Sequence, residues 1–254
     1  MESNLPLVIV FSLASGVLSL IGGILLLVKK SFGKAFARYA TPFAAGALLA
    51  AAFADLLPSA AEHGDIERGL MATLVGILLF FLMERAIHWF HHHNDDHEAR
   101  EDRDARVPLI VIGNLLHHMI DGVAIAAGFL VSLPAGIVVT IVVMAHEIPH
   151  TIGNFSLLLY KKVPRKQVLL INVAIVLLTA TCAAIAFGLG THVGLPLDIL
   201  LGLTAGFFIY IAVSDIIPDI HVHETKHFVG LRSVLLLIGA ISISILIELL
   251  RHFE

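Results

Sequence analysis

Pro108–Val131 reads PLIVIGNLLHHMIDGVAIAAGFLV, an apolar run broken near its middle by His117, His118 and Asp121. A membrane-spanning helix rises 1.5 Å per residue and needs about 20 residues to cross the hydrocarbon, so this run is long enough. In that medium an ionisable side chain is costly unless it faces a polar interior, and a cluster of them marks a working site by default. His117 and Asp121 are four residues apart and His118 and Asp121 three apart, so a helix presents all three on one side.

The rest of the chain demands the same solvent. Of 254 residues, 58% are hydrophobic and 14% charged, and the mean hydropathy is +0.93. A water-soluble globule cannot hide that much apolar surface. The formal charge of −4 therefore says little about partners. The lone cysteine, Cys182, lies inside an apolar run, which excludes an intramolecular disulfide framework and any multi-cysteine metal cluster. Leu5–Val28 is longer than a signal-peptide core and follows Glu2 rather than basic residues, so it reads as a retained first span.

Eight helical spans are expected near 5–28, 38–61, 69–90, 108–131, 135–160, 167–189, 196–220 and 229–251. Alternate loops then hold 14 of the 16 Lys and Arg residues, including Lys29, Lys30 and Lys34 after span one and Lys161, Lys162, Arg165 and Lys166 after span five. Basic loops stay cytoplasmic, which places both termini outside and makes spans two, four, six and eight run outward.

Two features organise the chain further. Asp55-Leu56-Leu57-Pro58 in span two and Asp215-Ile216-Ile217-Pro218 in span seven repeat one pattern, each after a Gly/Ala-rich stretch. With the two spans running oppositely, this fits an inverted repeat of spans one to three and six to eight, a 3+2+3 arrangement. Two ordinary Pro-ended helices remain the alternative. Residues 91–106 form a polar segment with His91, His92, His93 and His97 among six acidic residues, read as a cytoplasmic loop able to bind metal or simply as a solvated one.

Span five carries His146-Glu147-Ile148-Pro149-His150. His146 and His150 share a face with Glu147 beside them, and Pro149 crowds the carbonyl of Ala145, so a kink is expected there. Both clusters lie about ten residues into antiparallel spans and can face each other near mid-membrane. Four imidazoles and two carboxylates suit Zn, Fe, Mn, Co or Cd, whereas Mg and Ca favour oxygen alone. Six donors exceed one four-coordinate structural zinc site, which points to a binuclear or open, exchangeable site.

These paired motifs resemble those of the ZIP (Zrt/Irt-like protein) family of metal transporters, whose fourth span carries H-N-x-x-D/E-G and fifth H-E-x-P-H-E-x-G-D. The resemblance covers nearly the whole chain. It implies a binuclear centre, one ion held by His117, Asp121, His146 and His150 and the other by His118, Asp121, Glu147 and His150. It also implies uptake toward the cytoplasm. Three positions depart from the pattern: His118 for Asn, Thr151 for Glu and Asn154 for Asp.

The expected protein is thus an all-α membrane transporter, one domain over 1–254, and not an enzyme. Its cargo is Zn²⁺, with Fe²⁺, Mn²⁺ and Cd²⁺ as competing ions, and no organic cofactor or nucleic acid is expected. The lipid bilayer is its medium, the plasma membrane its expected location, and a homodimer its candidate assembly. Asp55, Asp215 and Asp219 are expected way-stations, and His91, His92 and His93 accessory ligands. The rival reading is an intramembrane zinc protease built on H-E-x-x-H, with Glu147 as base. Pro149 and the second ligand cluster argue against it.

Overall fold

The computed structural model describes residues 4–28, 30–92, 102–218 and 229–252, with side chains described except at 25–28, 30–34, 87–92, 102–110, 215 and 229. Every regular element among them is helical. Among the described residues, eight helices are long and apolar enough to cross a membrane. In lipid a backbone amide has no water to bond, and a helix satisfies its amides within the segment.

Span one is Leu5–Val28. Span two is Lys30–Ala51, a π turn Ala52–Leu56 and a last helical piece Leu57–Glu62. Spans three, four and five are Ile66–His92, Asp102–Val131 and Leu133–Tyr160. Span six is Arg165–Leu189 followed by a π turn Gly190–Gly194, span seven is Leu197–Tyr210 followed by a π turn Ile211–Ile216, and span eight is Val229–Arg251. Spans three and four reach further toward each other than hydropathy indicated, because Glu, Arg and Ala propagate a helix past the apolar boundary. Residues 91–92 and 102–106 of the expected loop are therefore helical, and 93–101, with His93 and His97, lie outside the described residues.

Spans four and five meet in a very short turn. Ser132, in an extended conformation, caps span five by accepting the Ala135 amide at 3.2 Å, with Pro134 in the first helical turn where its missing N–H costs nothing. Span five continues as helix through Pro149. The two helices that carry the candidate ligands are thereby held antiparallel side by side.

Spans two, four, five and seven are the most buried, and spans one, three, six and eight turn more of their surface outward. Outward residues such as Leu78, Leu82, Leu237 and Ile241 are exposed apolar side chains suited to lipid. Glycine sets the tightest contacts: a Cβ on Gly46 would stand 1.9 Å from the Leu236 carbonyl oxygen of span eight, and one on Gly206 would stand 2.3 Å from the Thr73 carbonyl oxygen of span three. Small residues let helix backbones approach where lipid supplies no hydrophobic drive.

The two copies of the Asp-aliphatic-aliphatic-Pro pattern share a local geometry. The Leu57 amide donates to the Ala52 carbonyl, and the Ile217 amide to the Ala212 carbonyl, each closing a wide turn just before its proline. Proline lacks the N–H and its ring crowds the carbonyl four residues back, so the helix widens there. The carbonyl that Pro58 cannot serve, that of Ala54, accepts instead from Arg251 of span eight at 3.0 Å. Gly46 and Gly206 stand at matching distances before Asp55 and Asp215.

Candidate metal centre

His117, His118 and Asp121 come from span four, and His146, Glu147 and His150 from span five; helical periodicity puts each trio on one face, and the packing of the two spans brings the trios together. His146 Nε2 lies 3.4 Å from Asp121 Oδ1, and His117 Nε2 lies 3.6 Å from Asp121 Oδ2. His118 Nδ1 is 3.4 Å from Glu147 Oε1 and 4.0 Å from Asp121 Oδ2. Asp121 is therefore the hub, with three imidazoles directed at its two oxygens.

These separations are informative. They exceed the usual N–H···O range of about 2.7–3.2 Å. Two donors on one tetrahedral zinc, each about 2.0–2.1 Å from the metal, stand about 3.3–3.4 Å apart. His117 Nε2, His118 Nδ1, both oxygens of Asp121 and His146 Nε2 are buried and lack a hydrogen-bond partner among the described residues. Each such atom would cost about 1–3 kcal/mol if left unsatisfied. A cation between them would satisfy several at once. One donor atom each from His117, Asp121 and His146 lie within 4.8 Å of one another.

Surrounding groups hold the ligands in place. His146 Nδ1 bonds the Val142 carbonyl at 3.1 Å. A carbonyl only accepts, so Nδ1 carries the proton and Nε2 presents its lone pair to the centre. Glu147 is held from span one, where Ser19 Oγ lies 2.9 Å from Oε1 and Ser15 Oγ 3.4 Å from Oε2. Phe80 of span three sets its ring edge-on to His117 at 5.8 Å. Phe208 of span seven lies 6.2 Å from the ring of His146. His150 differs from the other five: it is exposed, yet its ring stacks on His117 and meets His118 edge-on.

The other expected residues lie elsewhere. Asp55 is buried in the π turn of span two and lines a cavity of about 160 Å³ with Glu62, His63, Val138 and Arg251. Val138 is two helical turns before His146, about 12 Å at 1.5 Å per residue, with buried Val142 between them. Asp215 lies in the matching π turn of span seven, its side chain not described. Asp219 lies outside the described residues, as does His93, while His91 and His92 end span three.

Two buried polar features in these spans escaped the sequence reading. Ser15 and Ser19 were hidden in an apolar span, although Ser12, Ser15 and Ser19 recur at helical spacing and are all buried. Asn114 precedes His117 by three residues and is also buried. At Asn154, where the family pattern has Asp, the side chain donates to Asn172 of span six at 3.4 Å, so this position ties two spans together.

An integral, multi-pass helical membrane protein with a buried His/Asp/Glu cluster is a narrow class. The profile of the ZIP zinc transporter family matches residues 5–108 and 91–247, and the chain belongs to that family. It is 30% identical to zinc transporter ZIP6 of Homo sapiens over 173 residues, 64% of this chain and 23% of that protein. To zinc transporter ZIP10 of Mus musculus it is 36% identical over 115 residues, 44% of this chain and 13% of that protein. To zinc transporter ZIP13 of Pongo abelii it is 28% identical over 228 residues, 82% of this chain and 65% of that protein. The chain spans less than two thirds of each of these relatives. The family is one of transporters rather than enzymes, which leaves the protease reading of His146–His150 without support.

Proposed function

We propose that this protein carries divalent transition-metal ions, zinc foremost, inward across a bilayer, binding them at His117, His118, Asp121, His146, Glu147 and His150. The observation that carries this reading is the set of buried donor atoms around Asp121, which lack a hydrogen-bond partner of good geometry among the described residues and stand 3.4–3.6 Å apart, the spacing of ligands on one ion. Membership in a family of zinc transporters supplies the cargo class. Uptake of zinc into proteoliposomes, with iron, manganese and cadmium as competitors, tests it; a purified protein that moves none of them ends the proposal.

The donor set accommodates two ions sharing Asp121 and His150. His117 and His146 serve one, and His118 with Glu147 the other. Nitrogen ligands favour zinc and its neighbours over magnesium and calcium. Fe²⁺, Mn²⁺ and Cd²⁺ are the competing cargoes.

The basic alternate loops support external termini, and one transporter domain in the plasma membrane is part of the same proposal. Matching π turns, matching glycines and the pairings of span two with eight and span three with seven support the 3+2+3 inverted repeat. In this orientation the Asp55 cavity faces outside, where a carboxylate draws cations toward the centre. Asp215 and Asp219 take the corresponding role toward the cytoplasm, and 91–106, with His91, His92 and His93, receives released metal. A homodimer is the assembly to test by mass measurement in detergent.

A further inference from the structure

Asn114 lies one helical turn from His117 and His118 on the face that carries Asp121, and this place has no role in the six-ligand centre. It is buried to 6% exposure, and neither its amide oxygen nor its amide nitrogen has a hydrogen-bond partner among the described residues. A buried amide usually finds partners. Among the described residues, the other span-four atoms without a hydrogen-bond partner are on His117, His118 and Asp121, all in the proposed metal centre. Asn114 continues their row.

Span five offers an independent observation at the same level. His117 stacks on His150, so one turn further along each antiparallel helix brings Asn114 opposite the stretch around Gly153. Gly153 is exposed, and a Cβ there would meet no heavy atom within 4 Å. It follows His150, which is itself exposed although its ring lies against two buried histidines. An imidazole opening onto hydrocarbon would strand its nitrogens, so the side of His150 that is open calls for a polar neighbour, although the same helix face ends at the exposed apolar Leu157. Exposure at His150 and Gly153 therefore marks the side of span five toward which the centre is least covered, and the antiparallel register sets Asn114 at that level on span four.

We infer that Asn114 is a further metal-contacting residue, one turn on the cytoplasmic side of the centre, whose amide oxygen takes the ion from His117 and His118 as it leaves. This rests on the proposed transport function and its orientation. A neutral amide oxygen is a weaker ligand for zinc than imidazole, which suits a transfer position. The residue there would then help set which ion passes.

The test uses the full chain in proteoliposomes, with wild type and His146→Ala as controls, and reads zinc and cadmium uptake alongside equilibrium zinc binding in detergent. Asn114→Leu should lower zinc uptake by about fivefold, the worth of one net polar interaction, with zinc binding at the centre retained. Asn114→Cys, in a Cys182→Ala background, should raise cadmium uptake relative to zinc because a soft thiolate prefers the softer ion. A merely structural asparagine would leave that ratio unchanged. An unchanged ratio in Asn114→Cys, or wild-type zinc flux in Asn114→Leu, overturns the inference. If Asn114→Leu does not insert, the cadmium-to-zinc ratio decides. Wild type that moves no metal would instead remove the transport reading itself.

Discussion

His117 and His150 stack face to face, ring centroids 4.6 Å apart and planes 10° from parallel, and so join spans four and five through two groups both proposed to bind metal. The contact brings together one ligand that is buried and one that is exposed. Alanine at His150 removes a ligand and the stacking partner together; alanine at His146 removes the ligand nearest Asp121 Oδ1. Both variants should reach the membrane and lose zinc uptake to the background of empty vesicles. Normal flux in either would contradict the central assignment.

Ser19 reaches Glu147 from a different span and fixes its Oε1 beside His118. Groups that orient ligands typically contribute about 10–100-fold in metal affinity. Ser19→Ala should therefore weaken zinc binding by about tenfold, and Ser19→Thr, which keeps the hydroxyl, should restore most of it. Titration calorimetry on the detergent-solubilised protein measures both, and equal affinity in Ser19→Ala would show the hydroxyl to be incidental.

His118→Asn exchanges an imidazole 3.4 Å from Glu147 Oε1 for a neutral amide of the kind the family pattern carries there. Transport should persist with altered preference among zinc, cadmium and manganese, since an oxygen donor replaces nitrogen. Competition uptake reads the change. Complete inactivity in a folded variant would mean that the imidazole is indispensable here.

Gly46 meets the Leu236 carbonyl so closely that any side chain must push span eight away. Gly46→Val should cost at least the about 1–3 kcal/mol typical of overpacking and lower the thermal midpoint in detergent. Gly153→Ala, which faces open space, is the contrasting variant and should leave the midpoint nearly unchanged.

Deleting His91 to Glu98 should leave zinc flux measurable while changing its rate or its response to accumulated metal. Imidazoles on a segment that must be ordered to chelate bind more weakly than preorganised ones. Total loss of flux in a correctly inserted deletion protein would place the segment in the permeation path.

The sequence by itself determined the membrane class, the eight spans and the two helix faces that carry the proposed ligands. Apolar run length is set by bilayer thickness, and helical period fixes which of His117, His118, Asp121, His146, Glu147 and His150 share a side. It also marked both Asp-aliphatic-aliphatic-Pro segments. What it could not supply was contact between helices distant along the chain. Only the tertiary structure decided that Ser15 and Ser19 hold Glu147, because a serine in an apolar run can equally bond its own helix, as Ser12 does to Val8. The same holds for Arg251, whose place at a helix end gave no sign that it serves the Ala54 carbonyl that Pro58 leaves without its helical donor. Asn114 makes the distinction plainest. Its position in span four follows from the sequence alone, but whether its amide is satisfied depends on its neighbours, and those are set by how the spans pack.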